Sequence, residues 1–337
     1  MSELTFPLVS ESEQITRAIE TALAEDVATG DVSANATIPA DAHSDAYFVA
    51  KASGVVAGLA VVSEVFRRVD PSIVVTWSKS DGDRVAMGDI IGTAVGLSRG
   101  ILIAERTALN FMQRMSGIAT LTRAYVDAIA AAGSRTRILD TRKTVPGLRM
   151  IDKLAVRLGG GCNHRVGLYD MVMIKDNHIE AAGGITQAVE NTHAFLQADP
   201  VLRERNIAIE VETGSLAEVT EALAVQHLGV TRIMFDNMTK LVKDGSSGKT
   251  TGIDTSLIAQ AQELVLKDQA AKISAGTVSK GREMETEVSG NVMLETVGEI
   301  AKTNVDFVSS GQLTHSVTAL DISLKFKPAP TTAVNKA

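Results

Sequence analysis

The residues able to do chemistry in this 337-residue chain are bunched. Between Asp140 and His178 stand Arg142, Lys143, Arg149, Lys153, Arg157, Arg165 and Lys175, seven cations against four aspartates, together with His164 and His178. The chain as a whole carries a net charge of −7, so the remainder sums to −10. An acidic protein that gathers positive charge in one short stretch, threaded by Gly159, Gly160 and Gly161, is suited to hold an anion there. Guanidinium forks and ammonium groups pair with carboxylate and phosphate oxygens, and the expected ligand is a small, multiply charged one.

Those side chains need elements to aim them. From about Ser116 onward short apolar β-type runs alternate with helical patterns, the signature of parallel βαβ units. The expected strands are 137–140, 171–174, 207–212, 232–236, 285–288 and 305–308, with helices over 150–158, 185–197, 216–227, 256–270 and 292–302. Every expected strand runs into chemistry: Thr141-Arg142-Lys143, then Lys175, then Glu210 and Glu212, then Asp236, then Ser289-Gly290, then Ser309-Ser310-Gly311. Ligands of α/β barrels and open α/β sheets sit at the carboxyl ends of the strands, so residues far apart in sequence should converge there. The first third reads as a small α+β unit, with a helix over 12–26, strands near 47–56 and 73–77, a turn at Asp81-Gly82-Asp83, and two short strands over 84–95 with Gly88 and Gly92 at turns. A helix over 101–115 leads into the second domain and sets Arg106 and Asn110 on one face.

Composition excludes several classes. Hydrophobic residues make up 45% of the chain, ample for a large core. One cysteine, Cys162, leaves no intrachain disulfide and no Cys/His metal cluster, and a reducing, cytoplasmic setting is expected. No run approaches the ~20 apolar residues of a membrane span. Aromatic residues are only 4%, and with the acidic balance they give nucleic-acid binding little support. The string Gly245-Ser246-Ser247-Gly248-Lys249-Thr250 has a P-loop flavour, but Lys243 stands where the first glycine belongs and no apolar strand precedes it, so a surface loop is expected. Polar residues over 243–282 read as a peripheral insertion around one helix.

Several blocks together resemble the quinolinate phosphoribosyltransferase family: Glu105-Arg106-Thr107-Ala108-Leu109-Asn110, Asp140-Thr141-Arg142-Lys143-Thr144, Gly159-Gly160-Gly161-Cys162-Asn163-His164-Arg165, Ile174-Lys175-Asp176-Asn177-His178, Glu210-Val211-Glu212, Phe235-Asp236-Asn237, Ser289-Gly290-Asn291 and Ser310-Gly311-Gln312-Leu313-Thr314-His315. The resemblance runs in order from about residue 15 to 325. It implies an α/β architecture, an N-terminal α/β sandwich over 1–116 joined by the returning segment 312–337, and an open α/β barrel over 117–311. It further implies conversion of quinolinate and phosphoribosyl pyrophosphate to nicotinate mononucleotide, pyrophosphate and carbon dioxide in de novo NAD biosynthesis, with Mg²⁺, by a homodimer.

By the same resemblance Thr141, Arg142, His164, Arg165 and Lys175 bind quinolinate, joined by Arg106 from the partner subunit. Lys143, Glu212, Asp236, Ser289, Gly290, Asn291, Ser310 and Gly311 serve phosphoribosyl pyrophosphate, with Glu212 and Asp236 the Mg²⁺ acids, and Glu210 and His315 are additional candidates. Ser289 to Asn291 are expected to open a helix and offer N–H groups to phosphate. Two carboxylates and several phosphate charges in one pocket demand a dense array of cations, in agreement with that assignment. Taken singly, a strand-end cation is an ordinary solvated charge, His178 reads equally as structural, and Cys162 reads as a spacer. A relative acting on nicotinate would need fewer cations, and a non-catalytic sensor of anionic metabolites would have less need for both Glu212 and Asp236.

Overall fold

A computed structural model describes residues 9–245, 250–279, 281 and 283–327. The chain divides into two compact units: Met1–Arg123, Thr144–Gly160 and Thr314–Ala337 form the first, and Ala124–Lys143 with Gly161–Leu313 form the second.

The first unit begins with α1 (Glu11–Val27), started by the Ser10 side chain accepting from the Glu13 N–H, and α2 (Val32–Thr37). Strand β1 (His43–Ala50), the short β2 (Gly54–Val55), α3 (Leu59–Val69), β3 (Val74–Trp77), β4 (Arg84–Val85) and β5 (Ile90–Leu97) follow, and then α4 (Ser98–Ala131). Alternation along β1 buries Ala46, Phe48 and Ala50. Phe48 packs edge-on against Phe66 of α3, ring centroids 5.9 Å apart, and tilted against Trp77 at 5.0 Å. The Asp81 carboxylate of the expected turn accepts from the N–H groups of Gly58 and Leu59, capping α3 where glycine supplies no side chain. Gly92 lies inside β5 rather than at a turn, because a Cβ there would stand 2.4 Å from the Trp77 ring.

Helix α4 runs past the boundary expected near residue 116. Ser116 and Gly117 look like a helix end in sequence, yet they are packing positions. The Ser116 hydroxyl accepts from the Ala57 N–H, and a Cβ on Gly117 would meet the Thr318 carbonyl at 2.3 Å.

After β6 (Arg137–Leu139) comes α5 (Arg149–Leu158), which returns to the first unit instead of staying within the expected barrel range. Arg114 holds it by a forked ion pair to buried Asp152, at 2.8 and 2.7 Å, and Gly159 lies flat against Ala119 of α4. The second unit continues through β7 (Val172–Ile174), α6 (Asp176–Ala182), α7 (Ile185–Ala198), α8 (Pro200–Glu204), β8 (Ile209–Thr213), α9 (Leu216–Ala224), β9 (Val230–Asp236), β10 (Lys240–Lys243), β11 (Thr250–Asp254), α10 (Ser256–Ser274), β12 (Glu285–Ser289), α11 (Leu294–Ala301) and β13 (Phe307–Ser309). Then α12 (Gln312–His315) leads to β14 (Ile322–Phe326), which pairs antiparallel with β1 and completes a four-stranded sheet, β14-β1-β5-β3.

The second unit is a six-stranded, all-parallel sheet in the order β6-β13-β12-β9-β8-β7. Among the described residues no ladder joins β6 to β7, so the barrel stays open there. An isolated parallel bridge from Leu139 to Cys162 borders β6 instead. The region 243–282 is a correction to the sequence reading. Helix α10 buries Ile258, Ala261 and Val265 and donates from Lys272 to the Leu223 carbonyl, so it is the crossover between β9 and β12 rather than an appendage. Only the hairpin β10–β11 projects from it, and Ser246 to Lys249 of the expected surface loop lie outside the described residues.

Candidate active site

Register sets the strand tips on two levels, with Glu212 one layer below Asp236 and Ser289. Ile174 stands beside Val211, Glu212 beside Met234, and Asp236 beside Ser289. Side chains alternate across a strand, so Lys175, Glu212, Asp236 and Ser289 follow the inward-facing Met173, Glu210, Met234 and Glu287 one layer toward the carboxyl end.

Two cations meet on the open side of the barrel. Arg165 is half-buried. Its guanidinium has a lowered pKa, first because burial disfavours the charge and next because Arg142 is close enough to repel it. Its Nη1 donates to the Met171 carbonyl at 3.2 Å, while its Nε is buried with no hydrogen-bond partner among the described residues. A buried donor of that kind is costly unless an anion answers it. Arg142 and Lys143 are exposed, and the Thr141 hydroxyl accepts from the Lys143 N–H, turning the chain sharply after β6.

Across the tips, Lys175 Nζ pairs with Glu212 at 2.8 Å, with side chains 44% and 12% exposed, so the ammonium reaches solvent while its carboxylate partner is mostly covered. His178 is settled by geometry: its Nδ1 accepts from the Lys175 N–H at 3.0 Å, so it caps the first turn of α6.

The phosphate candidates sit in two neighbouring loops. Helix α11 begins at Leu294, two residues later than expected, so Ser289 ends β12 and Gly290 and Asn291 form a loop ahead of the helix and not its first turn. Gly290 (φ +86) and Asn291 (φ +55) are both left-handed, and a Cβ on Gly290 would stand 2.3 Å from the Asn237 side-chain oxygen. Consecutive left-handed and tight-turn residues make a concave array of N–H groups, which suits phosphate. Ser310 is buried and donates from its hydroxyl to the Val292 carbonyl at 2.8 Å, tying the β13 loop to the β12 loop. The Tyr125 hydroxyl donates to Gln312 Oε1 at 2.7 Å beside them. Sequence reasoning passed over Tyr125, and its one signal was an aromatic on an otherwise apolar helix face.

His164 departs from expectation. It is buried, and neither ring nitrogen faces open solvent as a ligand group would. Nδ1 accepts from the Arg165 N–H at 2.7 Å, and Nε2 lies 3.0 Å from Glu210 and 3.4 Å from Glu287. Glu210, two residues before Glu212 on β8, shares the inner face with it but is fully buried and one layer deeper. Burial, the largest influence, opposes charge on the ring, yet the two glutamates outweigh it and draw its pKa up to about 9. Burial and the Glu287 charge push Glu210 up to about 7, whereas His164 and Arg232 hold Glu287 below the usual carboxylate range despite burial. The Arg165 N–H leaves no room for a proton on Nδ1, so the proton retained by this cluster sits on Nε2 or is shared with Glu210.

These three ligand-type groups lie within 4.8 Å of one another. A cation already serves them: Arg232 Nη1 reaches Glu287 at 3.1 Å, and its far edge pairs with Glu285 at 2.8 Å. Arg106 is exposed on α4 and His315 exposed beside Ser316, both within the first unit.

Two family models cover almost the whole chain: the quinolinate phosphoribosyl transferase N-terminal domain over residues 31–116 and its C-terminal domain over 118–325. A quinolinate phosphoribosyltransferase [decarboxylating] 1b of Nicotiana tabacum is 48% identical over 311 residues, 91% of this chain and 81% of that one. A nicotinate-nucleotide pyrophosphorylase [carboxylating], chloroplastic, of Arabidopsis thaliana is 49% identical over 313 residues, again 91% and 81%. The crystal structure of NadC from Streptococcus pyogenes superposes with a TM-score of 0.77 at 36% identity, covering 94% of this chain and 99% of that one.

Proposed function

The chain belongs to the quinolinate phosphoribosyltransferase family and joins quinolinate to phosphoribosyl pyrophosphate with loss of carbon dioxide in NAD biosynthesis; we propose that it does so at the barrel tips through the residues described above. Arg142 and Arg165 take the two carboxylates of quinolinate, assisted by Thr141, and Lys175 serves the carboxylate next to the ring nitrogen. The observation that carries this division is the buried, unanswered Nε of Arg165 next to a second guanidinium. Lys143 and the loops at 289–291 and 310–311 receive the phosphates, and Glu212 and Asp236 receive the ribose hydroxyls.

Quinolinate nitrogen attacks ribose C1 as pyrophosphate departs, through an oxocarbenium-like centre, and the site contributes chiefly by positioning and by opposing the developing charge. After C–N bond formation the adjacent carboxylate leaves as carbon dioxide, and the positive charge of the quaternised ring nitrogen stabilises the electron pair left on the neighbouring ring carbon. A proton then replaces it on carbon. Magnesium, where bound, neutralises pyrophosphate charge. Glu212 and Asp236 fit it as hard oxygen donors on neighbouring tips, and it would keep waters and phosphate oxygens for its remaining ligands. His164, Glu210 and Glu287 do not fit it, because the Arg232 guanidinium already occupies the cationic place beside them.

Arg106 is exposed on α4, which suits a contribution from the partner subunit to a homodimeric site. Mixing inactive Arg106→Ala and Lys175→Ala proteins then restores partial activity through hybrid dimers, and no recovery after subunit exchange counts against the shared site. No helix among the described residues is long and apolar enough to cross a membrane. A cytoplasmic location suits the single free thiol, although several plant relatives are named as chloroplastic or mitochondrial; cell fractionation decides. The activity is tested by supplying quinolinate or nicotinate with phosphoribosyl pyrophosphate and Mg²⁺. Carbon dioxide, pyrophosphate and nicotinate mononucleotide from quinolinate support the reading, and turnover of nicotinate alone defeats it.

A further inference from the structure

A charged column fills the barrel interior beneath the tips, and the reaction described above makes no direct use of it. It runs from His164 through Glu210 and Glu287 to Arg232 and ends at the part-exposed Glu285. We propose that Glu287, backed by Arg232 and flanked by Glu210, is a positioning residue for quinolinate: it fixes the His164 ring, and through Nδ1 of that ring the backbone from which Arg165 projects. The inference rests on Arg165 being a quinolinate ligand.

The segment carrying Arg165 needs such an anchor. It lies on the open side of the barrel, where, among the described residues, the Leu139–Cys162 bridge is its strand-like contact and no ladder holds residues 163–171. Side chains replace the ladder. Asp140 accepts from the His164 N–H at 2.9 Å and from the Asn163 amide at 2.6 Å, and Asp170 accepts from the N–H groups of Val166 and Gly167. Between these two clamps the Arg165 N–H has the His164 Nδ1 as its acceptor. The ring can present Nδ1 there only while its other edge is held, and Nε2 faces Glu210 and Glu287.

Glu287 is itself immobilised. It is fully buried, and it pairs with an Arg232 guanidinium that lies over the Phe307 ring at 4.2 Å, with Arg137 over the same ring at 4.3 Å. A stacked arginine with a forked carboxylate contact has little freedom to swing. Buried ion pairs of this kind contribute little net stability, because desolvation offsets the attraction. What the column does provide is a fixed direction for each group along it, ending at Arg165.

Two replacements of the ring separate its ends. His164→Asn keeps an acceptor near the Nδ1 position and loses reach toward the glutamates, whereas His164→Gln keeps a donor near the Nε2 position and loses the acceptor for Arg165. Steady-state KM for quinolinate and for phosphoribosyl pyrophosphate, kcat and the thermal midpoint are measured for wild type, both ring variants, Glu287→Gln and Arg232→Met.

If the column aims Arg165, Glu287→Gln raises the quinolinate KM about tenfold or more, the equivalent of about 1.4 kcal/mol. The KM for phosphoribosyl pyrophosphate stays within about twofold, and His164→Gln is impaired more than His164→Asn. An unchanged quinolinate KM in folded Glu287→Gln overturns the proposal. So does a uniform loss of both KM values and kcat that tracks the thermal midpoint, which marks a purely structural role. Should Glu287→Gln not fold, Arg232→Met and the two ring variants decide by the same selectivity for quinolinate. Wild-type protein without quinolinate turnover is a different failure, that of the proposed function itself.

Discussion

The β1–α3 core of the first unit and the barrel interior of the second are filled with opposite kinds of side chain. In the first, Phe48, Phe66, Val62 and Val65 meet between β1 and α3 without a charge among them. In the barrel, the corresponding centre holds His164, Glu210, Glu287 and Arg232. That β1–α3 core therefore gains stability from burial of apolar surface, roughly 25 cal/mol per Å², and has no preferred orientation beyond good packing, while the buried Arg114–Asp152 pair of the same unit lies apart from it at α5. The barrel trades some of that gain for groups whose directions are fixed by charge, which suits a unit that must aim cations at a substrate.

The largest test of this contrast is at the tips. Lys175→Ala removes the ammonium that pairs with Glu212, and kcat/KM should fall by at least about 100-fold, as for other groups that stabilise developing charge; product formation under saturating substrates measures it, and near-normal turnover defeats the assignment. Next come the cores. Phe48→Ala in the first unit should cost about 3–5 kcal/mol through its cavity, and Glu287→Ala in the barrel a similar amount because it strands Arg232 and the His164 cluster. Denaturant unfolding compares them, and only the second loss should depend on pH.

That pH dependence has a definite sign. His164 is raised from 6.5 to about 9, so its contribution is complete below pH 6.5 and is lost as pH rises through 9, at most about 3 kcal/mol. Glu210, raised from 4.5 to about 7, loses its share between those values. Glu287 is lowered and works the other way, losing its share as pH falls below 4.5. Barrel stability should decline from pH 6.5 to 9 in wild type and much less in His164→Asn, followed by the thermal midpoint; parallel declines would place the titration elsewhere.

Gly290→Ala brings a methyl group to 2.3 Å from Asn237 in a left-handed backbone. It should raise KM for phosphoribosyl pyrophosphate more than for quinolinate, at a stability cost of about 1–3 kcal/mol. The smallest effect belongs to the surface of the first unit. Glu20→Gln, at the Arg68 pair, should change stability by no more than about 1 kcal/mol, and less in high salt.

Much of this was legible beforehand. Most barrel strands appear as short, largely apolar runs ending in Lys, Glu, Asp or Ser, because a parallel strand buried on both faces is mainly apolar and its tip is free to carry chemistry, while β8 and β12 carry Glu210 and Glu287 inside them. The length of α4 was not legible, since Ser116 and Gly117 mark a helix end as readily as a close packing point. Nor was the role of α10, whose polar residues conceal the buried Ile258, Ala261 and Val265.

The sequence by itself determined the order of elements, the chemistry at their tips and the family, since these depend on local patterns and contiguous motifs. The tertiary structure decided which way His164 faces and that Glu210, Arg232 and Glu287 form one column with it. Those residues are separated by up to 123 positions, and their inward faces become neighbours only when the sheet curls. No local pattern encodes that closure, because curvature is a property of strands packed together.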